Sequence, residues 1–152
     1  MAIRQQLEDD VKAAMIAGDA LRVETLRGLK TAILYADVAT KTRDTGGVDD
    51  DAIMAILFKE AKKRQESADL YVRGGSQERA DKELAEKAII EAYLPQQLND
   101  EELGKLVDEA IAATGASEAK DMGRVIGMVK GKAGNSADGA AIAKAVAERL
   151  KR

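Results

Sequence analysis

The sequence contains no cysteine, no histidine and no tryptophan, only one proline, and just 3% aromatic residues. Without cysteine there is neither a disulfide nor thiolate chemistry. With histidine absent too, the usual zinc, haem and iron–sulfur ligands are missing, as is the usual general base near neutral pH. A carboxylate-only Mg²⁺ or Ca²⁺ site is the one metal class left open; no cofactor and no metal is expected. No stretch approaches the ~20 consecutive apolar residues of a membrane span. Met1-Ala2-Ile3-Arg4-Gln5 lacks the apolar core of a signal peptide. No membrane partner is therefore expected, and the expected compartment is the cytoplasm.

What is present points to helices. Hydrophobic residues are 45% of the 152, dominated by Ala with Leu, Ile and Val, and charged residues are 34%. Alanine loses no side-chain entropy in a helix. An Ala-rich, charged, nearly proline-free chain predicts an all-α protein. With so few aromatics its core must be aliphatic, with close helix contacts. The length fits one ordinary domain or two small ones. The net charge of −3 rules out a polycation, so any nucleic-acid role must rest on a local patch.

Apolar periodicity predicts seven helices. The first covers about 3–17, with Ile3, Leu7, Val11, Ala14 and Met15 on one face. Gly18 then serves as C′ and Asp19 as the next N-cap. The second covers about 20–38, striped by Leu26, Leu29 and Ile33. The polar linker 40–47 reads as a mobile surface loop. The third opens at Asp49-Asp50-Asp51. Three carboxylates resemble a metal site, but a helix N-terminus favours negative charge, and capping is the preferred reading. This helix ends near Val72, at Gly74-Gly75. The fourth covers about 77–93, with Leu84, Ala88, Ile89, Ile90, Tyr93 and Leu94 as its apolar residues. Pro95 stops it and sets a domain boundary between 1–94 and 95–152. The fifth follows Asn99, which stands in capping-box spacing to Glu102, and Gly115 closes it. The sixth begins near Ser117 or Lys120 and carries Met122, Val125, Ile126 and Val129. The seventh begins at Asp138 as N-cap and carries Ile142, Val146 and Leu150.

Three constellations are candidates for function. Lys59, Lys62, Lys63 and Arg64 form a basic run. It is either a solvated face laced by Glu60–Arg64 and Lys62–Glu66 pairs or a phosphate-contacting face. Residues 119–152 carry eight cations against three acids, a local charge of +5, with no acid between Met122 and Ala137. Their cations are Lys120, Arg124, Lys130, Lys132, Lys144, Arg149, Lys151 and Arg152. Such a stretch can hold phosphate or be ordinary surface charge. Gly123 and Gly127 share one side of the sixth helix, each at a cost of ~1 kcal/mol relative to Ala. They allow either close approach of a neighbouring helix or a ligand surface. Gly131-Lys132-Ala133-Gly134-Asn135-Ser136 does not fit a nucleotide P-loop. No serine among Ser67, Ser76, Ser117 and Ser136 has a histidine to activate it.

At Glu91-Ala92-Tyr93-Leu94-Pro95-Gln96-Gln97-Leu98 and Asp121-Met122-Gly123-Arg124-Val125-Ile126-Gly127, the sequence resembles a YqeY-type protein of the GatB/YqeY family. The resemblance runs along essentially the whole chain. It takes in Lys59 through Ser67, Ala80 through Glu86, and Ala137-Asp138-Gly139. It implies a multihelical N-terminal domain followed by a small three-helix C-terminal domain. That C-terminal part resembles the tail of GatB, a subunit of the glutamine-dependent aminoacyl-tRNA amidotransferase, in which the tail contacts tRNA. The family usually places Gly and then Lys or Arg before Ala-Asp-Gly, where this chain has Asn135 and Ser136. Gly131 stands where proline is usual.

The leading expectation is a non-catalytic accessory module. It would bind tRNA, or a tRNA-handling complex, through phosphate contacts from Lys120, Arg124, Lys130, Lys132, Lys144 and Arg149. One alternative is participation in glutamine-dependent amide transfer, a carbon–nitrogen ligase activity. The missing His and Cys and the lack of an amidase-like segment argue against catalysis by this chain alone. The other alternative is a protein-interaction module with no RNA role.

Overall fold

A computed structural model describes residues 2–150. Among these it has seven α-helices and no strand: α1 (Ile3–Ala17), α2 (Ala20–Ala39), α3 (Asp50–Arg73), α4 (Gln77–Glu91), α5 (Asp100–Thr114), α6 (Met122–Ala133) and α7 (Gly139–Leu150). Short 3-10 turns lie at Arg43–Thr45, Ala119–Asp121 and Gly134–Ser136. Contacts divide the chain into two compact units, Met1–Leu94 and Pro95–Arg152. No helix among the described residues is long and apolar enough to cross a membrane.

In the first unit α1–α2 and α3–α4 form helical hairpins. Gly18 leaves α1 in the left-handed region at φ 72°, and the Asp19 carboxylate accepts from the Arg22 N–H to start α2. Gly75, at φ 80°, turns the chain between α3 and α4. The acids at the start of α3 bond to two helix N-termini. Asp49 accepts from its own Ala52 N–H at 2.9 Å, and Asp50 accepts from the Ile3 N–H at the start of α1. The core is aliphatic: Leu7, Val11, Leu26, Leu29, Ile33, Ile53, Leu57, Ala61, Ile89 and Ile90.

Polar bonds hold the segment after α2. Asp37 is buried on α2 at 4% exposure. Its carboxylate takes two bonds from the Arg4 guanidinium, at 2.9 and 3.1 Å, and one from the Val48 N–H at 2.8 Å. Arg4 also donates to the Val48 carbonyl. The linker read as a mobile loop thus has a hydrogen-bonded 3-10 turn, with both ends tied to Asp37. Gly47 makes this possible. It has φ 81°, and a Cβ there would lie 2.3 Å from Arg4 and 2.7 Å from Asp37.

Helix α4 departs from the expected pattern at two points. It ends at Glu91, before Tyr93. Tyr93 and Leu94 instead donate to Ile90 and Glu91 three residues back, because the proline ring keeps Leu94 out of α conformation. The Tyr93 hydroxyl donates to the Asp10 carboxylate on α1. Burial and that carboxylate push its pKa up. Leu84, expected in the apolar stripe, is exposed, and Glu86 is buried. The inward face of α4 accommodates an ion pair, and a period count over apolar residues passes over it.

The second unit packs α5, α6 and α7 around Leu103, Val107, Ala110, Val125, Val129, Ile142, Val146 and Leu150. Asn99 accepts from the Glu102 N–H at 2.8 Å. The reciprocal half of a capping box is absent, since the Glu102 carboxylate takes the Asn99 amide instead. The entry segment is tied by Leu98 N–H to the Ser136 carbonyl at 2.8 Å and by the Gln97 amide to the Asn135 carbonyl. Asn135 and Ser136 hold this segment through their backbone carbonyls, and the Ser136 hydroxyl donates to the Ala133 carbonyl.

The Arg4 guanidinium, then the Val48 N–H, hold the Asp37 carboxyl below the usual carboxylate range. A depressed folded pKa gives stability that is present above the unfolded value and is lost as pH falls through the folded value. Asp37→Ala is expected to cost about 2–3 kcal/mol at pH 7. Its deficit against the parent should shrink below about pH 4. Urea unfolding at pH 7 and pH 3 checks this, and equal deficits at both would contradict it. Gly47→Ala should destabilise at both pH values, through steric strain.

Candidate nucleic-acid interface

Helix α6 presents a bare ridge. Gly123, Gly127 and Gly131 recur every four residues on its exposed side. A Cβ placed on any of them would meet nothing within 4 Å. The expectation that Gly123 and Gly127 admit a neighbouring helix is therefore corrected within this unit: neither α5 nor α7 lies against them. At about 100° per residue, Arg124 and Lys130 stand roughly 60° to either side of Gly127. On the opposite side Val125 and Val129 are fully buried, and Met122 packs against the same core.

Motif residues build the ends of this helix. Asp121 lies at its start, where its carboxylate accepts from the Ser117 and Glu118 N–H groups at 3.1 and 3.2 Å and from Arg124 at 2.8 Å. The Ser117 N–H first, then Arg124 and the Glu118 N–H, hold its pKa below the ordinary value. Ala137 is buried. Asp138 caps α7, its carboxylate accepting from the Ala140 N–H and its carbonyl from the Ile142 N–H. Gly139 leaves room for Lys130, whose Cε and Nζ lie 3.4 and 3.5 Å from the position of a Cβ. In the other unit, Tyr93 and Leu94 pack against the first core.

The candidate cations are not in one place. Lys120 is 3.2 Å from Glu118, and both are exposed. Arg124 pairs with Asp121 and keeps 62% of its side chain exposed. Lys130 has no ion-pair partner among the described residues. Lys132 leans toward Glu109 of α5 at 3.9 Å. Arg149 is committed to α5: it donates to Asp108 at 2.7 Å and lies across Gly104, where a Cβ would be 2.4 Å from its Nη2. Lys144 borders a separate open groove of about 480 Å³, shared with Asp100, Leu103, Glu148 and Arg149. Lys151 and Arg152 lie outside the described residues. The sequence also hides a counterweight, because residues 99–118 hold six acids and one lysine, a local charge of −5. Two of those acids draw Lys132 and Arg149 away from the ridge.

The basic run on α3 resolves differently. Arg64 is only 21% exposed in its side chain and gathers three carboxylates: Glu60 at 3.2 Å, Glu86 at 3.0 Å and Glu83 at 3.9 Å. It joins α3 to α4, so its guanidinium is engaged within the fold. Lys63 pairs with Glu60. Burial first, and then the Glu86 charge, push the Glu83 pKa up. Sequence reasoning found the Glu60–Arg64 pair from its spacing. It could not find Glu83 and Glu86, which lie on another helix.

A family model described as Yqey-like protein matches residues 4–150. Two curated proteins match part of the chain. "Altered inheritance of mitochondria protein 41, mitochondrial" of Lachancea thermotolerans is 31% identical over 90 residues, covering 59% of this chain and 46% of that protein. Its Kluyveromyces lactis counterpart is 30% identical over 87 residues, covering 57% and 45%. The chain thus spans less than half the length of either relative.

Two stability predictions follow from this geometry. Gly127→Ala and Gly123→Ala meet open space in a helix, so each is expected to stabilise by about 0.5–1 kcal/mol. Thermal unfolding of the single variants checks this, and a loss of stability would mean that the ridge is covered. A raised carboxyl pKa makes stability fall as pH climbs through the interval from the unfolded to the folded value. Glu83→Gln is therefore expected to raise the urea midpoint at pH 7, with the gain disappearing near pH 4. A gain that persists in acid would assign the effect to packing.

Proposed function

The chain belongs to the Yqey-like protein family, and on that premise we propose that its second unit is a non-catalytic module that holds RNA, tRNA foremost, by its phosphates. The observation that carries this reading is the uncovered glycine ridge of α6, with Arg124 and Lys130 on its two flanks. A helix interior that accepts three glycines gives up stability. An uncovered ridge gains no internal packing in return. Glycine does leave the helix surface flat, so a phosphate strand can come close to both flanking cations. Contacts of this kind set position and carry no sequence information.

Lys120, Arg124 and Lys130 are the primary contacts in this reading, with Lys144 on a second face. The Lys120–Glu118 pair is exposed, and in the Arg124–Asp121 pair the guanidinium is exposed. Surface pairs of this type are worth about 0–1 kcal/mol and exchange readily for phosphate. Lys132 and Arg149 contribute less, because α5 already engages them. The resemblance to the GatB tail supports tRNA as the RNA. No observation at this site favours the amide-transfer alternative; the Ser136 hydroxyl, for one, is taken up by the Ala133 carbonyl. The relatives' names say mitochondrial, which widens the compartment for such a role beyond the cytoplasm expected from the sequence.

Titration of labelled tRNA with the full chain at two salt concentrations tests the proposal. Affinity should fall steeply with salt. The double variant Arg124→Glu/Lys130→Glu should bind about tenfold more weakly or worse, with a salt slope shallower by about two phosphate contacts. No binding at low salt, or an unchanged double variant, would sink the reading.

A further inference from the structure

Helix α2 has two apolar faces, and only one is covered. Leu26, Leu29 and Ile33 are buried, whereas Leu34, Tyr35 and Val38 are 42%, 71% and 53% exposed. Helical spacing places Arg27, Thr31, Leu34 and Val38 on one strip, with Tyr35 along its border. Toward its start the strip runs into an open apolar notch of about 540 Å³, lined by Met15, Ala20 and Val23 among others. Farther along, a smaller dent of about 220 Å³ is lined by Leu7, Ile33 and Leu34, with charged residues at its rim. A helix that is apolar on opposite sides is ordinarily covered on both.

Charge indicates the kind of cover. Between Glu24 and Asp44 the chain carries Arg27, Lys30, Lys41 and Arg43, and its one acid is Asp37. Asp37 is buried and bound by Arg4 and Val48. Two acids at the edges of the strip are themselves paired, Glu8 with Lys30 at 3.4 Å and Glu24 with Lys82 at 3.9 Å, while Asp44 is exposed beside Arg43 beyond its far end. A second copy would set cations against cations. A bilayer favours an unbroken band of bulky apolar residues, whereas Arg27 and Thr31 interrupt this strip at its middle.

We propose that the exposed strip of α2 docks an acidic amphipathic helix of a partner protein. Apolar side chains of that helix enter the notch at Val23 and the dent at Leu34. Flanking Asp and Glu pair with Arg27, Lys41 and Arg43. The two depressions are separated along α2 by about 16 Å, at 1.5 Å per residue, so the partner helix needs at least three turns. This is the helix-in-groove mode of recognition, and it is independent of the RNA reading of the second unit.

Selection of a displayed library of randomised ~18-residue helical peptides on the full chain tests it. Enriched peptides are expected to carry apolar residues at helical spacing flanked by Asp and Glu. Their affinity should drop about tenfold in Val38→Asp and in Arg27→Glu chains, and severalfold between 50 and 300 mM salt. Both side chains are exposed, so circular dichroism should show both variants folded; Tyr35→Ser serves as a milder third. Absence of enrichment, enrichment without acidic bias, or affinity unchanged in the variants overturns the proposal. So does a dimer in sedimentation, or binding to anionic vesicles, that Val38→Asp abolishes, because the strip would then belong to a second copy or to a membrane.

Discussion

A core of Leu, Ile, Val and Ala has little shape of its own. Leu and Ile are alike in volume and exchange at small cost, so apolar packing by itself specifies helix register only weakly. The chain has three tyrosines, one phenylalanine and no tryptophan to break that degeneracy. Register is set by charges and polar groups placed where helices cross. Asp37 binds α1, α2 and the turn before α3 through Arg4 and Val48. Arg64 fastens α3 to α4 through Glu86. The Tyr93 hydroxyl ties the end of α4 to Asp10. In the second unit Arg149 reaches Asp108 across Gly104. Each of these breaks if one partner is removed, and a partly buried charge left unpaired is what makes a misregistered packing unfavourable.

The same economy of side chains explains the surface of α6. Gly18, Gly47, Gly75 and Gly115 answer a backbone need, all with positive φ, and Gly104 and Gly139 make room for Arg149 and Lys130. Gly123, Gly127 and Gly131 answer none: their backbone is helical and their surroundings are open. A feature that costs stability and has no internal partner is the kind of local inconsistency found at functional surfaces. The cations beside it form the electrostatic part of the same surface, held within a unit whose α5 is strongly acidic. The family match takes in this surface along with the rest of residues 4–150 and assigns it neither a ligand nor a reaction. The curated relatives are more than twice as long as the part of them that is matched.

Much was legible from local chemistry. Helix starts and stops depend on residues within a turn of the boundary. Asp19, Asn99, Asp138, Gly18, Gly115 and Pro95 could therefore be read directly, and α1 spans the residues its periodicity predicted. The all-α class followed from alanine, charge and the lack of proline. The Asp121 and Asp138 motifs stood out in the sequence, though the bonds that Asp121 makes to Ser117 and Glu118 did not.

What the sequence determined by itself was set by interactions within about one helical turn: the class, most helix limits, single caps such as Asp19 and Asn99, and the Glu60–Arg64 pair. Tertiary structure decided which side chain meets which. It turned Glu86 inward and Leu84 outward, gave Arg64 two partners from another helix, drew Lys132 and Arg149 toward α5, and left Gly123 and Gly127 uncovered. The physical reason is range. Capping and backbone preference are satisfied by neighbours in the chain, whereas the worth of a charge or a glycine depends on what another helix brings against it, and periodicity along one helix does not contain that information.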